Sequence, residues 1–239
     1  TPLYSSAASD VYKRQCIIYR SNLRSVTMLK ISFIDTTLES LCMAQEIMDN
    51  LDCEIHFFSE DAEIGLFGES PGIVSKWPLV PNTWTTSMYS QNYKLKCTAV
   101  RRSWFEKAIA ISLAKKNTQF HLRTRITNFE DNKVEFSGAG SFGSGILNFD
   151  KVFQTSIESN STFWYGGVTT TEMAPNSNLI IGKRSDSTIE VWAERKLPQD
   201  INWIQKMSWI GKTPKNSIES DIDIGIRRAN NFLNKVNIE

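Results

Sequence analysis

The sequence has few of the residues from which common catalytic and metal sites are built. Only two histidines occur in 239 residues, His56 and His121, and each lies in an apolar segment that predicts a strand. A packed or surface histidine is the expected role of both, which leaves no general base for a serine hydrolase. The four cysteines show no paired spacing. These features predict no metal site and reduced thiols in a cytoplasmic protein.

The sequence also lacks an excess of charge of either sign and a long apolar run. Its 27 basic and 26 acidic residues give a formal net charge of +1. This balance predicts no broad electrostatic attraction to nucleic acid or to an anionic membrane surface. No apolar run approaches the roughly 20 residues of a membrane span, and no signal-peptide pattern is seen. We therefore expect a cytoplasmic protein with a small-molecule partner, and the oligomeric state stays open.

The first residues are expected to lie outside the fold. Ser5–Gln15 resembles translated linker or adapter sequence, and Met28 stands immediately before the first apolar run. We therefore predict a non-native or disordered leader at residues 1–27 and a single domain at residues 28–239. The length of that domain suits one α/β unit with a reduced substrate side.

The most informative stretch of the domain runs from Leu29 to Gly65. Residues 29–34 form a short apolar run that predicts a buried parallel strand. Residues 38–51 have apolar side chains at helical spacing, and residues 54–58 predict a second strand that is followed by acids. Strand, helix, strand and acid within about 30 residues are the opening of a dinucleotide-binding unit.

The turn between the first strand and the helix lacks the glycines that such a unit normally has. Asp35, Thr37 and Ser40 occupy the three glycine places. Glycine there gives a tight turn, close backbone approach to a pyrophosphate and close helix–strand packing. A carboxylate at Asp35 opposes the attraction of a helix N-terminus for anions. Alternatively, Asp35 or Thr36 is an ordinary N-cap of the helix.

The order of these segments resembles the glutathione-reductase-type FAD/NAD(P)-binding flavoproteins, which include FAD-dependent monooxygenases and other oxidoreductases. Residues 61–65 are similar to the segment after the acid in that family, and Val100–Ser103 resembles its arginine-bearing segment before a helix and a strand. Residues 217–229 are similar to its C-terminal, flavin-proximal helix. The resemblance covers most of residues 28–235 as spaced fragments. It implies an α/β fold, a Rossmann-like three-layer FAD/NAD(P)-binding domain with an inserted antiparallel β-sheet.

The resemblance also implies where a cofactor would be held. FAD, with NAD(P)H as a possible electron donor, would contact the first turn, the end of the second strand, two arginines and the segment before the last helix. The positions are Asp35, Thr36, Thr37, Ser40, Ser59, Glu60, Arg101, Arg102, Gly211 and Ile218. Ser59 takes the place of the family's ribose acid, and Glu60 lies one residue late. Arg101 and Arg102 suit phosphate oxygens, but an exposed surface pair is an equal alternative.

The second half of the chain predicts mostly strands. The inserted sheet is expected from residues 119–128, 133–136 and 146–153, with Phe149–Phe153 as a strand that returns to the parallel sheet. A β-rich, substrate-side section is expected at about residues 155–200, and Thr188–Glu194 alternates as a half-buried strand. Residues 200–209 predict a helix or an irregular apolar segment, and a final helix follows at about residues 218–236.

Two weaker motifs are present. Residues 138–143 satisfy Gly-x-Gly-x-x-Gly, but they stand between two predicted strands, which indicates a hairpin instead of a phosphate-binding turn. Lys76 follows Gly68–Pro71 in a way that faintly resembles the lysine segment of flavin-dependent halogenases. A solvated loop lysine is the simpler interpretation, so Lys76 is a weak catalytic candidate.

Three functions follow from these patterns. The first is an FAD-dependent, monooxygenase-like oxidoreductase that acts on an unknown small organic substrate. The second is a non-catalytic Rossmann-fold binding or assembly protein that has lost the dinucleotide site. The third is a flavin-dependent halogenase-like enzyme. The order of segments favours the first and the altered turn favours the second, so the sequence leaves open whether the chain is an enzyme.

Overall fold

The structure is a computed structural model that describes residues 28–65, 70–91, 97–138, 143–155, 161–175 and 179–236. The predicted leader at residues 1–27 therefore lies outside the described residues, as do residues 139–142 of the glycine-rich motif.

The described residues form eleven β-strands and three α-helices. The strands are β1 (Leu29–Phe33), β2 (Cys53–Phe58), β3 (Gln119–His121), β4 (Thr124–Glu130), β5 (Lys133–Gly138), β6 (Ser144–Asn148), β7 (Lys151–Phe153), β8 (Thr162–Thr170), β9 (Ile180–Lys183), β10 (Thr188–Ala193) and β11 (Gln205–Gly211). The helices are α1 (Leu38–Asn50), α2 (Arg102–Lys115) and α3 (Ser217–Val236). Short 3-10 turns occupy Asn82–Trp84, Thr86–Gln91 and Thr171–Met173. No helix among the described residues is long and apolar enough to cross a bilayer.

The strands form one parallel and two antiparallel sheets, so the predicted mixed α/β class is confirmed. The parallel sheet has the order β3-β2-β1-β7. A three-stranded antiparallel sheet, β4-β5-β6, is formed by the chain between β3 and β7. The third sheet has the order β11-β8-β10-β9 and is antiparallel throughout.

The three helices and one face of the parallel sheet share the main hydrophobic core. Phe33 of β1 stacks on Phe57 of β2, with ring centroids 4.7 Å apart, and both rings are fully buried. Helix α1 is buried along most of its length, with Leu38, Leu41 and Ile47 fully inaccessible, because α3 packs against it. Gly225 permits this packing, since a Cβ there would collide with the Glu39 carbonyl oxygen. The turn before α1 therefore lies beside α3.

The other face of the parallel sheet is covered by β4-β5-β6. Phe58 of β2 packs there with Val134, Phe136 and Phe149. The Val152 N–H of β7 donates to the Asp131 carbonyl at 2.9 Å, so the β4–β5 turn also covers part of the outer edge of β7.

Strand β10 is buried on both faces, which corrects the half-buried prediction for Thr188–Glu194. Five of its six residues are buried. The inner face packs on Ile73 and Ala99 through Trp192. Gly167, which pairs with Val191 on the outer face, lies under Trp203, so the chain after β10 folds back over that face.

Three further sequence predictions are wrong in their boundaries. Residues 119–128 do not form one strand, because Arg123 takes a left-handed conformation (φ 53°) and the chain passes from the parallel sheet into β4. Residues 146–153 divide in the same way between β6 and β7. Residues 200–204 are irregular, as one of the two predicted alternatives had it, but the segment ends at β11 (Gln205–Gly211), which pairs with β8 and turns Met207 and Trp209 inward.

Candidate functional site

The turn from β1 into α1 is closed by its own side chains. The Asp35 carboxylate accepts hydrogen bonds at Oδ1 from the Thr37 N–H at 3.2 Å, the Thr37 hydroxyl at 2.8 Å and the Ser40 hydroxyl at 2.6 Å. Its second oxygen accepts the Thr155 N–H at 2.8 Å. The Thr37 and Thr155 hydroxyl oxygens lie 3.1 Å apart. The carboxylate thus joins the start of α1 to the chain that leaves β7.

Helix α1 begins with Thr37 as its N-cap. The Thr37 hydroxyl accepts the Ser40 N–H at 3.3 Å, which is the usual cap bond to the third residue of a helix. The prediction that Asp35 or Thr36 caps the helix is wrong by one or two residues. Asp35 instead accepts from the N-cap residue, and its negative charge lies at the end of the helix where the macrodipole favours an anion.

A second carboxylate at this helix end is tied to α3. Glu39, in the first turn of α1, forms an ion pair with Arg228, whose other Nη donates to the Gln154 carbonyl at 2.8 Å. Burial raises the pKa of Glu39, although the nearby guanidinium opposes the shift. No local pattern indicates this pair, because it joins residues 189 positions apart.

Ser59 and Glu60 follow β2 at the same edge of the parallel sheet. Thr36 donates to the Ser59 hydroxyl at 3.5 Å, and that hydroxyl accepts the Asp61 N–H at 3.2 Å. Glu60 is exposed and lies 3.9 Å from Arg125, also exposed. The structure thus brings the first five predicted positions together and leaves Glu60 at the surface.

Arg101 lies away from this turn. It is the N-cap residue of α2, and its guanidinium donates two hydrogen bonds to Asp186, the shorter at 2.7 Å. It also stacks over the Trp104 ring at 4.8 Å from the ring centroid. Hydrogen bonds from Thr188 and Arg101 hold the pKa of Asp186 at about 2, against the effect of partial burial.

Arg102 is buried between α2 and α3. Its Nε donates to Glu106 at 2.9 Å and its Nη2 pairs with Asp221. Burial lowers the pKa of Arg102, but the two carboxylates outweigh that effect and raise the pKa above its usual value. Its Nη1 has no hydrogen-bond partner among the described residues. The alternative of an exposed surface pair is therefore wrong for Arg102.

The remaining predicted positions lie in other parts of the fold. Gly211 ends β11, and its carbonyl accepts the Trp164 indole N–H at 3.1 Å. Ile218 is fully buried in the first turn of α3. Lys76 is exposed, and the neighbouring Ser75 donates through its N–H (2.6 Å) and its hydroxyl (2.9 Å) to Glu219 of α3.

A buried polar cluster around Glu190 was not predicted from the sequence. Glu190 of β10 is fully buried and pairs with Arg184 at 2.6 Å. Its other oxygen accepts the Gly72 N–H at 2.8 Å and the Trp192 indole N–H at 2.7 Å. One pattern could have indicated it. Glu190 and Trp192 are two residues apart in a strand and so share a face, and Arg184 precedes Glu190 by six residues. The cluster joins Gly72, in the segment before Val74, to the antiparallel sheet β11-β8-β10-β9.

The two histidines meet on the face of the parallel sheet that β4-β5-β6 covers. His56 Nδ1 and His121 Nε2 lie 2.9 Å apart, and His56 Nε2 lies 2.7 Å from Glu54. Burial lowers the pKa of both imidazoles, to about 4 for His121. Both ring nitrogens of His56 are therefore engaged, one by His121 and one by Glu54.

Several solved oxidoreductases have a similar structure at low sequence identity. Glycine oxidase from Bacillus cereus ATCC 14579 gives a TM-score of 0.58 at 9% identity, over 87% of this chain and 96% of that chain. A flavoprotein/dehydrogenase from Cytophaga hutchinsonii gives a TM-score of 0.57 at 9% identity, over 87% of this chain and 79% of that chain. BexE, described in a study of oxidation during BE-7585A biosynthesis, gives 0.55 at 8% identity over 84% of this chain, which spans only 60% of BexE.

No protein-family model matches the chain, and no curated protein matches it in sequence. At these identities the structural similarity shows only that this chain shares its fold with proteins such as the glycine oxidase and the flavoprotein/dehydrogenase. The predicted α/β fold, with one parallel sheet and additional antiparallel sheets, is therefore confirmed at this coarse level.

The residues of the β1–α1 turn do not fit the pyrophosphate of FAD. Asp35 has its carboxylate among the amide and hydroxyl donors at the start of α1, so the turn already contains an anion. A diphosphate brought there would meet this negative charge and the β-branched Thr37. At 4 Å, like charges near a protein surface repel by up to about 4 kcal/mol.

Proposed function

We propose that this chain is a non-catalytic binding or assembly protein that keeps the FAD-oxidoreductase fold without using FAD. The observation that carries this proposal is the carboxylate of Asp35 at the N-terminus of α1, with four hydrogen bonds to the turn and to Thr155. The proposal puts the second function expected from the sequence ahead of the first.

Electrostatics support the proposal. In a dinucleotide site, the backbone N–H groups of the glycine turn and the helix dipole attract a diphosphate. Here the Thr37 N–H and the Thr155 N–H donate to Asp35 instead. The helix end is therefore neutralised by the chain itself, and the driving force for binding an external anion is lost.

The cationic groups support it as well. Arg102 is paired with Glu106 and Asp221, and Arg101 is paired with Asp186. The charge of each guanidinium is therefore already balanced by a carboxylate of the chain, and for Arg102 that pair is buried, so a phosphate would have to compete with an internal anion. Removing one member of a buried pair typically costs about 3–5 kcal/mol.

A second candidate is an FAD-dependent, monooxygenase-like oxidoreductase that holds FAD in another way. The observation in its favour is the fold similarity that spans 96% of the glycine oxidase chain. This function requires the Asp35 network to open, because the Asp35 carboxylate occupies the hydrogen-bond donors that a pyrophosphate would need. The halogenase-like role of Lys76 remains a prediction without a supporting contact.

Gel filtration of the full chain after incubation with FAD separates the two candidates. We expect folded protein to elute without the flavin absorption band near ~450 nm. Co-elution of FAD with the protein at a one-to-one ratio would overturn the proposal and favour the oxidoreductase. Circular dichroism of the same fractions establishes that the protein is folded.

A further inference from the structure

The chain crosses from the parallel sheet into the sheet β4-β5-β6, which we call the covering sheet, at a histidine. Strand β3 ends at His121, and β4 begins at Thr124. His121 Nε2 lies 2.9 Å from His56 Nδ1 on β2, which is a hydrogen-bond separation. The imidazole pair therefore ties the chain to the parallel sheet at the point where it passes into the covering sheet.

The positions of the protons on this pair follow from Glu54. His56 Nε2 lies 2.7 Å from the Glu54 carboxylate, which also pairs with Lys30 at 3.3 Å. Burial raises the pKa of Glu54, but hydrogen bonds from His56 and Lys30 outweigh that effect and lower the pKa overall. Glu54 is therefore an ionised acceptor, and His56 Nε2 carries a proton. In the neutral pair, His121 Nε2 donates to a bare His56 Nδ1.

Added protons act on this contact in two unequal steps. A first proton still leaves one of the two facing nitrogens bare, so the hydrogen bond survives. A second proton puts an N–H on both facing nitrogens, and two donors at this distance cannot bond to each other. The Glu54 carboxylate then stands beside three cations, namely Lys30 and two imidazolium rings. Their mutual repulsion is strong where water is excluded.

The pair lies beneath the aromatic rings that attach the covering sheet. Phe149 meets the His56 ring edge-on at 5.1 Å, and Phe58 stacks on the His121 ring at 4.6 Å. Phe58, Phe136 and Phe149 belong to the cluster that joins the two sheets. Because His56 is only 6% exposed, water reaches a charge on its ring only when the covering sheet moves away.

Two charged side chains act on the pair from the parallel sheet. Glu54 favours protonation of His56 and Lys30 opposes it. The other charged residues of the covering sheet and of the turns beside the pair are partly or fully exposed to solvent, namely Glu60, Asp61, Arg123, Arg125, Glu130, Asp131, Lys133, Glu135 and Asp150.

We propose that the His56–His121 pair is a pH-sensitive latch, which holds the covering sheet on the parallel sheet and releases it when both imidazoles are protonated. Release exposes the apolar side chains beneath, including Phe58, Val134 and Phe136. The main core stays folded, because the three helices pack on the other face of the parallel sheet. Burial lowers the pKa of both imidazoles, as expected for a closed layer that resists their charging. The latch does not depend on whether the chain binds FAD.

Amide hydrogen exchange of the full chain, read by NMR between about pH 6.5 and 4.5, tests the proposal. The opened layer binds more protons than the closed layer in this range, so opening becomes easier as the pH falls. We expect the protection factors of β4 and β5 amides to fall at least about tenfold over this range. At each pH they should lie at least about tenfold below those of α1 amides. Equal protection in the two regions would mean that the layer opens only when the whole protein unfolds, which would overturn the proposal.

A pair of double variants assigns the effect to the histidines. His56→Gln with His121→Gln replaces the imidazoles by amides that form hydrogen bonds but do not titrate, so the protection of β4 and β5 should change by less than about twofold. The matched control, Glu130→Gln with Glu135→Gln, removes two carboxylates of the covering sheet and should keep the fall seen in the wild type. A fall that persists without the histidines, or that vanishes without the glutamates, would contradict the latch.

The imidazole Cε1–H resonances of the wild type give a second readout that needs no variant. We expect both resonances to titrate below the ordinary pKa of 6.5. The amide signals of β4 and β5 should change together with the second protonation step of the pair. Complete protonation of both imidazoles with these amide signals unchanged would overturn the proposal.

Discussion

Two carboxylates, Asp35 and Glu190, each join distant parts of the chain, but they do so in different surroundings. Asp35 accepts the Thr155 N–H across 120 positions, and Glu190 accepts the Gly72 N–H across 118. Asp35 is partly exposed and bonds to amide and hydroxyl groups, whereas Glu190 is fully buried and pairs with the Arg184 guanidinium.

In our proposal, Asp35 takes the place of a ligand, whereas Glu190 holds layers of the fold together. The positive end of α1 balances Asp35, and a helix N-terminus is a place where proteins commonly hold an external anion. Glu190 instead balances the buried Arg184 guanidinium in the antiparallel sheet β11-β8-β10-β9. It does not stand in the place of an external ligand. The first is expected to matter mainly for what the protein binds, and the second for whether it folds.

Removing Glu190 should have the largest effect on stability. Glu190→Ala leaves the Arg184 guanidinium buried without its anion and the Gly72 and Trp192 N–H groups without an acceptor. We expect the free energy of unfolding to fall by about 3–5 kcal/mol in urea titrations. The control Glu194→Ala changes an exposed glutamate on the same segment and should stay within about 0.5 kcal/mol of wild type. A loss below about 1 kcal/mol for Glu190→Ala would remove the contrast between the two carboxylates.

Disturbing the support of the turn should have the next largest effect. Gly225→Ala puts a Cβ against the Glu39 carbonyl oxygen, so α3 must move away from α1. We expect a loss of about 1–3 kcal/mol by thermal or urea unfolding, as for other overpacked contacts. A neutral result would mean that α3 is free to shift, and that the turn region is softer than its packing indicates.

Removing Asp35 should cost less than removing Glu190. Asp35→Ala leaves its amide and hydroxyl donors near solvent, where water replaces the carboxylate. We expect a loss of about 1–2 kcal/mol, the usual range for a helix-end network. The matched control Glu60→Ala, at an exposed acid of the same sheet edge, should be nearly neutral. A loss equal to that of Glu190→Ala would show that Asp35 is mainly structural.

Acid should destabilise the region around the two histidines by a similar amount. The pKa of His121 falls from 6.5 to about 4 and that of His56 is also lowered, so the unfolded chain binds more protons between these values. The contribution of the two neutral histidines to the free energy of unfolding is therefore fully present above about pH 6.5, and it is lost as the pH falls towards 4. Because solvent reaches part of His121, we expect a loss of only about 1–2 kcal/mol from urea titrations at several pH values. His121→Gln should flatten this dependence, and an unchanged slope in that variant would contradict the assignment.

The smallest effect on stability is expected from removing Arg101, whose side chain is exposed. Arg101→Ala removes an ion pair with Asp186 and a contact with the Trp104 ring, all near solvent. We expect a change in unfolding free energy of about 1 kcal/mol or less. A larger loss would indicate that the segment before α2 depends on this pair.

The β1–α1–β2 unit was predictable because its signals are local. Apolar residues such as Leu41 and Ile47 recur at helical spacing over several turns. The altered glycine places at Asp35 and Thr37 were also visible in the sequence. The partners that close the turn were not, because Thr155 and Arg228 lie 120 and 189 residues from the groups they contact.

The errors arose where tertiary packing overrides local pattern. Gln205–Gly211 is a strand because β8 lies beside it, and its Met207 and Trp209 side chains fill the core next to Trp164. Residues 119–128 read as one strand because no glycine or proline marks the turn at Arg123, which a non-glycine residue makes in the left-handed region. The two predicted alternatives for Arg102, a phosphate ligand and an exposed surface residue, both missed its buried ion pairs, because its partner Asp221 lies on α3, 119 residues away.

FAD titration of the wild-type chain beside the triple variant Asp35→Gly, Thr37→Gly and Ser40→Gly shows whether the turn excludes the cofactor. We expect no saturable binding by the wild type up to about 100 μM FAD, and measurable binding by the triple variant once the carboxylate and the Thr37 side chain are gone. One-to-one binding of FAD by the wild type, as tight as by the triple variant, would contradict the claim that the turn supplies its own anion in place of the cofactor.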